Sequence, residues 1–170
     1  MRGLQERRSV PALTDGRPEG RSRARLLVVT AVAGAVIAAD QVTKSAAQTH
    51  LGHGVRHVLG PLDLELTYNT GAAFGLGRGW APLLVFVGLA LVGVVFGMSR
   101  AARSWPAVVA SALVLGGALS NLGDRLIRHN GGAVIDFIRL PHWPTFNVAD
   151  SSIVVGVVLL VAGSLLPSRA

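Results

Sequence analysis

The chain has 170 residues, of which 51% are hydrophobic and only 15% charged, and its mean hydropathy is +0.51. An ordinary soluble domain carries about 25% charged residues, so a soluble core cannot absorb this much apolar surface and the length suits about one membrane domain. The formal charge is +7, but seven of the 16 Lys and Arg lie in the first 25 residues and no basic stripe interleaves with aromatics, which excludes nucleic acid as a partner.

Residues 1–25 are rich in Arg, Gly and Pro without apolar periodicity and read as a disordered cytoplasmic tail. A single membrane domain, 26–167, follows. Its first predicted span is 26–43, running into "DQVTK" at Asp40–Lys44. The same stretch has the basic flank and small residues of a cleavable signal peptide, a reading set aside because three more spans follow. The outer loop 45–80 holds "LDLELTYN", whose alternation predicts a short strand, and then a Gly-rich irregular stretch. Spans 81–99 and 106–124 come next, and the latter carries Asn121 and Asp124 at its end. The second outer connection, 125–150, contains "GGAVIDFIRL", another short strand by pattern, and leads through "FNVADSS" into the fourth span, 151–167. Each segment of 17–20 residues, at about 1.5 Å per residue, is long enough for a bilayer core. Basic residues favour the side of the two termini, ten against six, so both termini are placed in the cytoplasm. Trp80, Trp105 and Trp143 each precede a span, as interface anchors do. The fold class expected is an all-α membrane protein, a four-transmembrane-helix bundle.

This topology brings polar residues from four distant segments to one level near the outer end of the bundle. Asp40 and Lys44 end span 1, Asn69 precedes span 2, Asn121, Asp124 and Arg125 end span 3, and Asn147 and Asp150 open span 4. Bland roles exist for each. Asp150 suits an N-cap, Asp124 a surface ion pair, Arg125 a helix C-terminus, Asn69 a turn, and Asp40 with Lys44 an i, i+4 salt bridge. The chemical reading pairs Asp124 with Asp150 as two carboxylates sharing one proton, one activating water and the other polarising a carbonyl. Helix dipoles make Asp150, at an N-terminus, the base and Asp124, near a C-terminus, the acid. Competing chemistries are weaker. His50, His53 and His57 are interrupted by glycines and lack H-E-x-x-H. G-x-S-x-G is absent, and a Ser–Lys pair through Lys44 has only Ser120 or Ser151 to use. No cofactor or metal is expected.

"DQVTK" at 40–44, "NTGAAFG" at 69–75, "GALSNLGDRL" at 117–126, "VIDFI" at 134–138 and "FNVADSSI" at 146–153 occur in this order, and the chain resembles the bacterial lipoprotein signal peptidases (signal peptidase II). The resemblance covers about 26–167. It implies a four-span aspartic protease of the bacterial cell membrane with a small extracytoplasmic β-cradle near 58–70 and a short periplasmic helix near 126–142. It assigns the catalytic pair to Asp124 and Asp150 and supporting roles to Asp40, Lys44, Asn69, Gly71, Asn121, Arg125, Asp136, Asn147 and Ala149. The implied partners are membrane lipid, globomycin-type cyclic peptide inhibitors, and substrates that are diacylglyceryl-modified prolipoproteins, cleaved just before the lipidated cysteine. A small proton- or cation-coupled transporter is the rival from another class. Its relay carboxylates would be spread through the membrane depth, whereas here they share one level.

Overall fold

The computed structural model describes residues 19–52, 54–71 and 104–165, together with Gly93 and Gly97, which are helical. The expected tail up to residue 18, His53, Trp80 and the rest of the expected span 81–99 lie outside the described residues. Helix α1 runs Glu19–His50, seven residues beyond the predicted span at each end. Its interior is free of proline and rich in Ala, a strong helix former, and it stops where Gly52 takes a φ of 54°, the left-handed terminator that glycine supplies without strain. Asp40 and Lys44 therefore lie inside a helix rather than at its end. Helix α2, Trp105–Ile127, starts at an N-cap Ser104 whose side chain accepts the Ala107 N–H, with Pro106 in the first turn, where its missing N–H costs nothing. Helix α3 is Val148–Leu165. Among the described residues, three helices are long and apolar enough to cross a membrane.

Between them lies a sheet that an all-α description does not accommodate. Strands β1 (Val55–Leu59), β2 (Leu62–Asn69), β3 (Val134–Leu140) and β4 (Trp143–Phe146) form one antiparallel sheet in the order β1-β2-β3-β4. The alternation in "LDLELTYN" and "GGAVIDFIRL" located β2 and β3. The edge strands β1 and β4 are short and carry no clear alternation, so sequence pattern left them out. The short helix expected near 126–142 is absent: α2 ends at Ile127, turns follow, and Val134–Leu140 is β3. The run Val134, Ile135, Asp136 and Phe137 is buried on both faces, as a strand covered on two sides must be. Phe137 packs with Ala47 and Leu51 on the last turns of α1, joined by Leu64 and Leu66 of β2. The added length of α1 is thus the platform on which the sheet sits. Pairing of β2 with β3 sets Thr67 opposite Asp136 and Asn69 opposite Val134, which carries Asp136 to the helix bundle.

Helix α2 is the central helix. Its Val108, Ala112, Val114 and Leu115 meet Val29 of α1 and Ile153 and Leu160 of α3. Two adjacent glycines allow the close approach. A Cβ on Gly116 would lie 2.9 Å from the Ala33 backbone on α1, and one on Gly117 would collide with the Ala149 carbonyl oxygen and lie 2.7 Å from Ile153. Gly156 of α3 completes the seam, with Val114 and the Ala110 carbonyl equally close. Small residues at membrane-helix interfaces let backbones pack directly, and this contact sets how far Asp150 stands from α2. Gly117→Ala should lower stability by about 1–3 kcal/mol through overpacking against backbone that cannot yield. Gly163→Ala, with no described atom within 4 Å of its Cβ, should leave the melting temperature within a degree or two. Thermal unfolding of the two variants in detergent checks the contrast.

Candidate active site

The polar centre is built on Lys44. Its Nζ lies 2.6 Å from Asp40 Oδ2 and 2.8 Å from Asp124 Oδ2, and it donates to Asn121 Oδ1 at 2.8 Å. Lys44 and Asp40 are fully buried and Asp124 is 1% exposed. Isolated charges at such sites would cost several kcal/mol each, and only close pairing with further hydrogen bonds makes them tolerable. Those further bonds lead to the neighbouring elements. Asp40 Oδ1 accepts the Ala149 N–H at 2.9 Å, fixing the start of α3, and Asp40 Oδ2 accepts from Ser120 Oγ. Asp124 Oδ2 accepts the Ile135 N–H at 3.1 Å, fixing β3. Asp124 Oδ1 accepts from Gln41 Nε2 at 2.8 Å.

Asp136 and Asp150 stand beyond this cluster, on β3 and in the first turn of α3, and both line a cavity of about 390 Å³. Asn147 joins them. Its Nδ2 donates to Asp136 Oδ1 at 2.7 Å and its backbone N–H to Asp150 Oδ2 at 3.2 Å, while its Oδ1 accepts the Asp150 N–H at 2.8 Å. The last two bonds are a reciprocal capping box that starts α3, so Asn147 is the cap and Asp150 its third-position partner. Asn121 Nδ2 donates to Asp150 Oδ1 at 2.8 Å. Its amide can face only this way, because its Oδ1 is taken by Lys44 and Asn147. Asn69 Nδ2 donates to Asp136 Oδ2 at 3.0 Å, and its Oδ1 accepts the Gly71 N–H. Arg125 donates to the carbonyls of Gly71 and Gly132 at 2.6 and 2.9 Å, tying the ends of the two outer segments together at the cavity rim. Burial, followed by the charge of Asp150, pushes the Asp136 carboxyl up to about 6, against the hydrogen bonds from Asn69 and Asn147 and the Lys44 ammonium. The apolar wall is supplied by Phe146, Ile153 and Val154.

The expected catalytic and supporting residues thus belong to one connected network, but the carboxylates divide differently from the expected pair. Asp124 does not line the cavity; it is the counter-ion of Lys44. The reason is helical phase. Asn121 and Arg125, four apart, face the cavity, whereas Ser120, Asp124 and Arg128 share the neighbouring stripe that faces α1. Asp136, given a supporting role on sequence grounds, shares the cavity with Asp150 instead. The clue in the sequence is a lone acid inside the apolar run "AVIDFI", which is costly to bury in a strand unless it is paired or hydrogen-bonded. Gln41 and Arg128 went unnoticed, although Gln41 lies within "DQVTK". Of the three spaced histidines, His50 bonds the Ala46 carbonyl and His57 pairs with Asp63.

The family model for signal peptidase (SPase) II matches residues 32–166. The chain belongs to the signal peptidase II family. Among its relatives, the lipoprotein signal peptidase of Rhodococcus jostii is 41% identical over 158 residues, spanning 88% of this chain and 78% of that protein. The lipoprotein signal peptidase of Mycobacterium avium is 38% identical over 153 residues, spanning 87% and 84%. A solved bacterial membrane enzyme superposes with a TM-score of 0.74 at 27% identity, covering 89% of this chain and 94% of its own. Membership fits a site of carboxylates and amides gathered at one end of apolar helices. Because Lys44 answers two buried carboxylates, Lys44→Met should cost about 3–5 kcal/mol by leaving them uncompensated. Chemical denaturation or thermal unfolding in detergent measures the loss.

Proposed function

We propose that this signal peptidase is an aspartic endopeptidase whose dyad is Asp136 and Asp150. The observation that carries the reading is the joint placement of these two carboxylates, from different elements, on one cavity and on one bridging residue, Asn147. Two carboxyls in one low-dielectric site share a proton, and the pair titrates as a unit. Asp136, whose carboxyl is pushed up to about 6, is assigned the shared proton, which it holds at pH below that value. Asp150 accepts N–H groups from Asn121 and Asn147 in the first turn of α3, where the helix dipole acts in favour of a carboxylate. Asp150 retains the role of base given by the helix dipole, and Asp136 replaces Asp124 as the acid.

The chemistry then follows from position. Asp150 takes a proton from a water as its oxygen attacks the scissile carbonyl carbon, and Asp136 delivers its proton to the carbonyl oxygen, giving a neutral tetrahedral diol. Asp150 next passes its proton to the amide nitrogen, the C–N bond breaks, and one diol hydroxyl returns a proton to Asp136. Products are a free carboxyl on the signal peptide and a free amine on the mature lipoprotein. The apolar wall of Phe146, Ile153 and Val154 suits small uncharged residues before the cleaved bond. Relatives named lipoprotein signal peptidases support prolipoproteins as substrates. The diacylglyceryl thioether on the cysteine after the bond would hold the bond at the membrane surface. The balance of basic residues supports four spans, cytoplasmic termini and a site near the outer leaflet of the bacterial plasma membrane. A relay transporter is disfavoured by the gathering of Asp40, Asp124, Asp136 and Asp150 at one end.

A gel-shift assay with a diacylglyceryl-modified prolipoprotein tests the dyad. Asp136→Asn and Asp150→Asn should each lower turnover more than about a hundredfold, and Asp136→Asn should do so with the melting temperature preserved. Asp124→Asn should instead destabilise the protein while its folded fraction keeps measurable turnover. Full activity in Asp136→Asn would return the acid to Asp124. The pH profile has a defined sign as well. Asp136 must keep its proton, so kcat/KM should fall as pH rises through about 6. Asn69→Ala removes a hydrogen bond that favours the Asp136 anion, so it should move this alkaline limb to higher pH. The raised carboxyl also contributes stability that is complete below the ordinary carboxylate range and is lost as pH rises through about 6.

A further inference from the structure

Arg128, the C-cap residue of α2, folds its side chain back across α1 and is 17% exposed. Its Nη1 donates to Gln48 Oε1 at 2.5 Å. Its Nη2 reaches Gln41 Oε1 at 2.9 Å, the Gln41 carbonyl at 3.2 Å and Ser45 Oγ at 3.1 Å. Its Nε lies 3.4 Å from Asp124 Oδ1. An amide side chain can be turned either way, and the guanidinium on Oε1 decides that Gln41 presents its NH₂ to Asp124 and Ser120. There is also a charge argument. Asp40 and Asp124 place two carboxylates in the interior against the single ammonium of Lys44, and Arg128 pairs with Asp124 from the α1 side while Arg125 faces Asp124, Asp136 and Asp150 from the cavity side. We infer that Arg128 is a positioning residue for the peptidase reaction: it orients Gln41 and balances Asp124, and through the Asp124–Ile135 bond it holds β3 where Asp136 meets the cavity.

This role rests on the reading of Asp136 and Asp150 as the dyad. The groups facing Asp136 are Asp150 from α3, Lys44 from α1, Arg125 from α2 and Asn69 from β2. Removing the Arg128 charge leaves the cluster behind them with an excess negative charge, which disfavours ionisation of Asp136. The test uses the full chain in lipid-containing detergent with a diacylglyceryl-modified prolipoprotein as substrate, and thermal unfolding to count folded enzyme. Arg128→Met should lower kcat about tenfold with KM within about twofold, and raise the alkaline limb of kcat/KM by about half a pH unit. Arg128→Lys should return the limb to its original position. Gln41→Leu, which removes the bridge but no charge, should lower kcat and leave the limb in place. An unmoved limb in Arg128→Met, or an Arg128→Lys profile identical to that of Arg128→Met, overturns the inference. If Arg128→Met fails to fold, unchanged kcat in Gln41→Leu overturns it. Failure of the dyad itself would show separately, as turnover surviving in Asp136→Asn or Asp150→Asn.

Discussion

The interaction on which the site depends is the buried ammonium of Lys44. A lysine with no exposed surface must place its three N–H groups on acceptors, and it does so on Asp40, Asp124 and Asn121. Each of these acceptors is also attached to an element that carries one of the two cavity carboxylates. Asp40 holds the first turn of α3, Asp124 holds the β3 backbone beside Asp136, and Asn121 holds Asp150 directly. One cation thereby fixes a helix start, a strand and a side-chain rotamer. Such an ion cluster contributes little net stability because desolvation consumes most of its Coulombic gain. What it supplies is a fixed arrangement of the surrounding elements, which the proposed dyad needs to hold its two carboxyls closely in place.

Close helix packing is the condition that makes this cluster possible. With Gly116 and Gly117 against α1 and α3, the three backbones approach closely enough for short side chains such as Asp40 and Asn121 to span the gaps. Asp40, Lys44, Ser120 and Asp124 in these gaps are fully or almost fully buried, and the low local dielectric strengthens the bonds between them. The apolar seam and the polar centre are therefore parts of one construction, the second at one end of the helices that the first holds together.

Asp150 combines two roles that sequence reasoning had set against each other. It is part of the capping box of α3 and it lines the cavity. The capping bonds fix the rotamer and the N–H groups of the first turn favour a carboxylate there, so the structural role prepares the chemical one. Asp136 lies on a strand rather than at a helix start, and burial together with the neighbouring Asp150 favours its protonated form. In the proposed dyad the helix start is the ground for assigning Asp150 as base, and the strand position the ground for assigning Asp136 as acid.

Much was legible in the amino-acid order. Apolar run length marked out α1, α2 and α3, alternation marked β2 and β3, and the topology of outward and inward helices gathered the acids at one end. The motifs in "DQVTK", "GALSNLGDRL" and "FNVADSSI" pointed to the family and to nearly every member of the polar network. The sequence by itself could not decide which acid faces Asp150. That depends on helical phase, which turns Asp124 toward α1 while Asn121 and Arg125 face the cavity, and on the pairing of β2 with β3, which carries Asp136 in from a loop. Both are long-range facts. A one-dimensional pattern shows that a carboxylate lies at the right depth, but only the packing of one element on another determines the direction in which it points.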